Sequence, residues 1–153
     1  GRKSKTDPRG AIDQPINPMS QLVASGATFI ARTHAAQVKH MNAMFERAIL
    51  HPGFAVVETL SECSMFYPGA FDDGNPRKGG KFDLVDEETQ DMESNLAALE
   101  LAELEAPGKF GVFLEKRRPT KNEGERAWIA DAQAKAADLS EKDLLRQRFA
   151  AMR

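Results

Sequence analysis

The chain has 153 residues, 41% hydrophobic and 29% charged, with a formal net charge of -2. That length suits one domain, and the near-neutral balance argues against general affinity for nucleic acid or anionic membranes. No apolar run approaches the roughly 20 residues of a bilayer span, no signal-peptide pattern opens the chain, and one cysteine excludes an internal disulfide, so a soluble protein of the cytoplasm is expected.

The chain opens at Gly1 in a charged stretch without a methionine, which reads as the C-terminal part of something longer. Residues 1–16 carry Pro8, Gly10 and Pro15 and read as a loop. Asn17-Pro18 starts a short helix, with Asn as cap and Pro at the first helical position, and Gly26 stops it. Ala27–Ala31 and Phe54–Leu60 are compact apolar runs. Between them Val38, Met41, Phe45 and Ala48/Ile49 recur at three- and four-residue steps, which predicts an amphipathic helix capped by Thr33 or His34 and ended by Pro52-Gly53. Strand, helix and strand with short connections make a βαβ unit, and near-continuous apolar strands fit a parallel sheet covered on both faces.

Residues 61–82 form a long irregular stretch of the kind that is functional or mobile. An acidic helix is expected from Asp86 to Glu105, with Met92, Leu96, Leu99 and Leu104 on one stripe and Asp86-Glu87-Glu88 solvating its start. Phe110–Leu114 predicts a strand. The tail is helical, with a capping box from Ser140 to Asp143 and a sticky face of Leu144, Leu145, Phe149 and Met152. The basic clusters Arg2-Lys3-Ser4-Lys5 and Lys116-Arg117-Arg118 suit an acidic partner or an anionic substrate.

Cys63 lies just past the second predicted strand, at the carboxyl edge where open parallel sheets bind ligands. Three roles are open to it: inert packing, nucleophile, or metal ligand. As a ligand it needs partners from elsewhere, since one thiolate does not hold a metal alone. His34, His40 and His51 lack the spacing of a helical metal pair and suit surface or capping roles. No P-loop, Gly-x-Gly-x-x-Gly or Ser-His-Asp pattern is present, which disfavours a free-standing hydrolase, kinase or dehydrogenase.

The run Asn17-Pro-Met-Ser-Gln-Leu-Val-Ala-Ser-Gly-Ala-Thr-Phe-Ile-Ala-Arg-Thr33 resembles the stretch after the thiamine-diphosphate/magnesium motif in β subunits of 2-oxoacid:ferredoxin oxidoreductases. The helix with Lys39-His40 and the run His51-Pro-Gly-Phe-Ala-Val-Val-Glu-Thr-Leu-Ser-Glu-Cys63 continue the resemblance, and Gly108–Thr120 is similar to that family's late strand. The match covers residues 7–66 well and 95–122 loosely. It implies an α/β fold: part of a transketolase-type thiamine-diphosphate-binding domain, a parallel sheet with helices on both faces, plus a helical C-terminal extension. On that reading 1–82 is the C-terminal half of the diphosphate-binding domain, with the βαβ unit and the Cys63 loop. Residues 83–120 hold the acidic helix and late strand, and 121–153 the helical tail.

The resemblance further implies CoA-dependent oxidative decarboxylation of a 2-oxoacid, with electrons passing through a [4Fe-4S] cluster to ferredoxin. Cys63 matches the fourth ligand of that cluster. Thiamine diphosphate, Mg2+ and the other cluster cysteines would be held mostly outside this segment, because the Gly-Asp-Gly…Asn-Asn motif and three further cysteines are absent. The implied partners are the N-terminal portion of the β subunit, an α subunit, ferredoxin, coenzyme A and the 2-oxoacid, in a cytoplasmic hetero-oligomer without nucleic acid or membrane. The family commonly follows the cysteine with Pro-Thr and an aromatic. Here Ser64-Met65-Phe66-Tyr67-Pro68-Gly69 follows, and its aromatic pair with a nearby glycine leans towards 2-oxoglutarate. Two other readings are a non-catalytic α/β subunit-assembly module and a solitary cysteine enzyme; the latter needs a base near Cys63.

Overall fold

In the computed structural model, which describes residues 3–137 and 139–152, Asn17 starts α1 (Pro18–Ala24) as the sequence predicts. Its Oδ1 accepts from the N–H groups of Met19 and Ser20, and its amide nitrogen donates to the carbonyl of Ala102 (2.8 Å). Gly26 ends the helix with a positive φ of 81° that a side chain would resist. The chain divides after Arg118 into two units.

The first unit is built on three strands in the order β2-β1-β3. Central β1 (Phe29–His34) is buried along its whole length. Edge strand β2 (Ala55–Leu60) runs parallel to it, in register from Phe29 opposite Ala55 to His34 opposite Leu60. Between them α2 (Val38–Leu50) crosses over one face, completing the expected βαβ unit. It packs Met44 and Ala48 on Phe29, Ala31 and Val112. On the opposite face α1 and α3 (Asn95–Ala102) cover Ile30, Phe113 and Leu114 with Met19, Val23, Ala98 and Ala102. Helices therefore lie on both faces, as expected.

Four expectations are corrected. The sheet is mixed, because β3 (Gly111–Glu115) pairs antiparallel with β1. The reason is where the chain enters: the carbonyl of Pro107 accepts from Arg32 Nη1 near the end of β1, so β3 begins where β1 finishes and runs back along it. On α2 the stripe is turned, and Val38, Phe45 and Ile49 are exposed. Because β2 is the edge strand, one flank of the helix overhangs it and leaves Phe45 and Ile49 in an open groove beside Ala55 and Val57. Neither Thr33 nor His34 caps α2; Gln37 occupies the cap position without a side-chain hydrogen bond.

The acidic helix starts late. Asp86 accepts from the Glu88 N–H and the Thr89 hydroxyl, a local turn that competes with helix, so α3 begins only where Ser94 caps it through the Ala97 N–H. Leu96 and Leu104 are exposed, whereas Leu99 and Met92 pack against the two core clusters.

Residues 61–82 hold only two short 3-10 turns, Asp72–Gly74 and Pro76–Lys78. In the second unit α4 (Lys121–Ala136) opens with a reciprocal capping box between Thr120 and Glu123. Helix α5 (Glu141–Ala150) opens with Ser140 accepting from the Asp143 N–H, the forward half of the predicted capping box, while the Asp143 carboxylate accepts from the Ser140 hydroxyl instead of its backbone N–H. Among the described residues no helix is long and apolar enough to cross a membrane. Arg2 of the first basic cluster lies outside the described residues; in the second, Lys116 bonds the side chain of Asn95.

Candidate functional site

The carboxyl ends of β1 and β2 gather the polar side chains of the first unit. Arg32 and Glu58 are register partners across the two strands, and their side chains meet at 2.5 Å between Nε and Oε2. Arg32 is buried, with its guanidinium 5.3 Å from the centre of the Phe113 ring and bonded to the Pro107 carbonyl at 3.0 Å. A cavity of about 350 Å³ opens beside the pair, lined also by Pro18, Leu60, Phe71 and Leu104. The charge of Glu58 interrupts an otherwise apolar run. That interruption was the available signal for the pair, although its partner 26 residues earlier shows no pattern in sequence.

Beyond Leu60 the chain turns sharply. Leu60 is held to the sheet edge by accepting from the Ala35 N–H (2.9 Å). Glu62 then accepts from the Gly69 N–H (2.7 Å) and from Lys78 Nζ (3.1 Å), and Lys78 also pairs with Asp72 (3.0 Å). The Gly69 N–H, then the Lys78 ammonium, hold the Glu62 carboxyl below its ordinary range. Asp72 and Glu62 together raise the Lys78 ammonium above its own. This network closes the loop that carries Cys63, and sequence reading missed it because its members are spread over 17 irregular residues.

Cys63 is exposed and reduced. It therefore does not pack within this chain's own core. Its carbonyl accepts from the Tyr67 N–H (2.8 Å), which closes a tight turn, and its Sγ accepts from the Phe66 N–H at 3.5 Å. The N–H groups of Phe66, Met65 and Tyr67 lower the thiol pKa below its ordinary value, Phe66 contributing most. Backbone donors aimed at sulfur stabilise a thiolate, the form that binds metal or attacks an electrophile.

Each histidine has one ring nitrogen engaged, and the buried Nε2 of His34 has no hydrogen-bond partner. His34 is buried, correcting the surface role, and its Nδ1 accepts from the Ala36 N–H at 3.1 Å. His40 Nδ1 bonds the Thr33 hydroxyl at 2.8 Å, and His51 Nε2 bonds the Thr28 hydroxyl at 2.9 Å. Burial lowers the pKa of His40, opposed by the charge of Glu87. Among the described residues no group of three or more His, Cys, Asp or Glu could hold a metal ion. The site can present one exposed thiol, its pKa lowered by backbone N–H groups, to a group whose other ligands come from elsewhere.

An α/β module with a thiol-bearing turn past the carboxyl edge of a parallel strand pair is the class that fold and site define. No protein-family model matches the chain. It aligns with a solved 2-oxoglutarate:ferredoxin oxidoreductase from Magnetococcus marinus, a structure with 2-oxoglutarate, coenzyme A and succinyl-CoA bound. The TM-score is 0.69 at 22% identity, over 94% of this chain and 48% of that one, which shows a shared fold. In sequence it is 38% identical over 66 residues to a 2-oxoacid:ferredoxin oxidoreductase subunit beta of a Sulfolobus species, which is 43% of this chain and 22% of the relative. It is 35% identical over 72 residues to the 2-oxoglutarate oxidoreductase subunit KorB of Mycobacterium tuberculosis, 47% of this chain and 19% of the relative. The matches span about a fifth of those relatives. The chain resembles the β subunits of 2-oxoacid:ferredoxin oxidoreductases, as its Asn17–Thr33 and His51–Cys63 runs lead one to expect.

Proposed function

We propose that this chain works as the C-terminal part of a 2-oxoacid:ferredoxin oxidoreductase β subunit, with Cys63 as one thiolate ligand of a [4Fe-4S] cluster. The observation that carries the reading is the Cys63 turn: an exposed thiol with a lowered pKa, held by backbone N–H groups at the carboxyl edge of the sheet. That combination suits an iron ligand, because the thiol is open to a cluster brought by other ligands and gives up its proton more readily on binding metal. The Phe66 N–H bonds the sulfur at 3.5 Å, the kind of contact that would tune the potential of a cluster held there.

When bound, thiamine diphosphate supplies the nucleophilic carbon and electron sink for decarboxylation, and the cluster supplies a one-electron acceptor. This chain's own part is narrower. It fixes the sulfur at the end of β2, excludes water from the core beneath through Leu60, and anchors the loop through Glu62. Thiamine diphosphate with Mg2+, the remaining cluster ligands, the α subunit, ferredoxin and coenzyme A complete the cytoplasmic assembly. The preferred substrate is 2-oxoglutarate, supported by the KorB names among the relatives and by the aromatic pair Phe66-Tyr67 after the cysteine.

Iron, acid-labile sulfide and the visible spectrum of natively assembled protein test the proposal, with wild type compared against Cys63→Ala. A brown cluster absorbance that is lost or severely weakened in the variant supports it. An iron-free assembly prepared anaerobically, or a cluster indifferent to the substitution, refutes it.

A further inference from the structure

The irregular stretch after β2 meets the end of β1 around a cavity of about 190 Å³, lined by His34, Ser61, Glu62, Asp72, Asn75 and Lys78. A water molecule takes a share of only about 30 Å³ and drug-sized ligands need roughly 300–1,000 Å³, so the space suits a small organic molecule. Unlike the largely apolar cavity beside Arg32, it is ringed by hydrogen-bonding side chains. Glu62 is the residue before Cys63, so the cavity adjoins the turn that carries the thiol.

The buried part of the lining offers donors. His34 is 5% exposed and its Nδ1 accepts from the Ala36 N–H, which places the proton of the neutral ring on Nε2. That Nε2 is buried and has no partner in the chain. A buried donor without an acceptor is costly, and an acceptor brought to it relieves the cost. Asn75 is 7% exposed and its Oδ1 accepts from the Arg77 N–H at 3.1 Å, so its amide hydrogens are what it has to offer. The more exposed part of the lining is acidic. Glu62 and Asp72 share the single ammonium of Lys78, at 3.1 and 3.0 Å, which leaves one negative charge in excess.

We propose that this cavity binds a small α-amino acid as its zwitterion, the carboxylate accepting from His34 Nε2 and the Asn75 amide and the ammonium facing Glu62 and Asp72. The two ends of the ligand answer the two kinds of lining. A simple anion meets the excess negative charge of the rim, and a simple amine leaves the buried donors unpaired, so neither fits as well. The Ser61 hydroxyl, both donor and acceptor, serves either end. The volume limits the ligand to a short side chain, as in glycine, alanine or serine.

Isothermal titration calorimetry on the full chain near neutral pH tests this. The probes are glycine, L-alanine and L-serine, each raised to about 10 mM, against propionate and ethylamine, which keep one charged end each. At least one of the amino acids is expected to bind, about tenfold or more tightly than propionate or ethylamine. Asp72→Asn removes the excess charge and is expected to weaken that binding by about tenfold; His34→Phe removes the buried donor and is expected to weaken it by about as much. Far-UV circular dichroism and the thermal midpoint verify that each variant is folded, and the comparison among ligands needs no variant. Failure of all three amino acids to bind the wild type overturns the proposal. So does propionate or ethylamine binding as tightly as they do, or an affinity that either folded variant leaves unchanged.

Discussion

Glu58→Ala is expected to destabilise the first unit severely, and the reason is its partner. Arg32 has a side chain only 8% exposed, and Glu58 is 19% exposed. Removing one member of a buried pair costs about 3–5 kcal/mol, because the other charge is left in a medium that cannot solvate it. Here the Pro107 carbonyl at 3.0 Å and the Phe113 ring at 5.3 Å still face the guanidinium. Partial access of water on the Glu58 side brings the expected loss down to about 2–3 kcal/mol.

Against a typical stability of 5–15 kcal/mol that is a large fraction, and it lowers the urea midpoint by about 1–2 M. The single tryptophan, Trp128, lies in the other unit, so its fluorescence does not report the loss. Far-UV circular dichroism and amide exchange at Ile30 and Ala31 in β1 do. Replacing both partners, Arg32→Met with Glu58→Leu, is expected to fall within about 1 kcal/mol of wild type, since no charge is then stranded. If Glu58→Ala lies within about 0.5 kcal/mol of wild type, or the double variant is as unstable as the single, the pair is not the strand clamp derived from its burial.

The thiol of the unassembled chain should alkylate with a pH midpoint below that of a short unstructured cysteine peptide, and Phe66→Pro, which removes the main N–H donor, should move it back up; a midpoint equal to the peptide's would remove the thiolate argument. His40 has a lowered pKa in the folded state, so the unfolded chain binds its proton first: stability is full above the ordinary value near 6.5 and declines as pH falls through the folded value. His40→Gln should flatten that acid-side slope in urea titrations at several pH values, and an unchanged slope would reassign it to another group. Gly53→Ala should cost about 1–3 kcal/mol, because the added methyl meets the Thr28 hydroxyl and the His51 ring and breaks the bond between them. Thermal denaturation reads it, and a variant as stable as wild type would show that the connection between α2 and β2 yields freely.

Elements governed by local chemistry were legible in sequence. Asn17-Pro18, Ser140 and the apolar runs of β1 and β2 stood where their residue types place them, because caps and buried strands depend on near neighbours. Most of what failed depended on distant geometry, and the late start of the acidic helix, set by a local turn, is the exception. The direction of β3 follows from where the loop around Pro107 meets Arg32, 75 residues away in sequence. The turned face of α2 follows from β2 being an edge strand, which no periodicity within the helix records. The acidic helix was lengthened because composition alone does not show Asp86 closing a turn on Glu88 and Thr89. At the site, Cys63 was legible by position at a strand end, whereas the Glu62–Gly69–Lys78 network that holds its loop was not.

That network bears on what Cys63 can be. A nucleophile and a metal ligand both act as the thiolate, and the backbone donors serve either. They differ in what else must be close. A nucleophile also needs a base to manage protons, and the hydrogen bonds of His34, His40 and His51 each engage one ring nitrogen and leave the second, with His34 Nε2 buried and unpartnered. A ligand needs instead a sulfur whose position does not drift while it waits for iron supplied with other ligands. Leu60 fixes the strand end, and Glu62 ties the next turn to Gly69 and Lys78, so the sulfur is held through its neighbours while it stays open to solvent. Restraint without burial suits the ligand role proposed for Cys63.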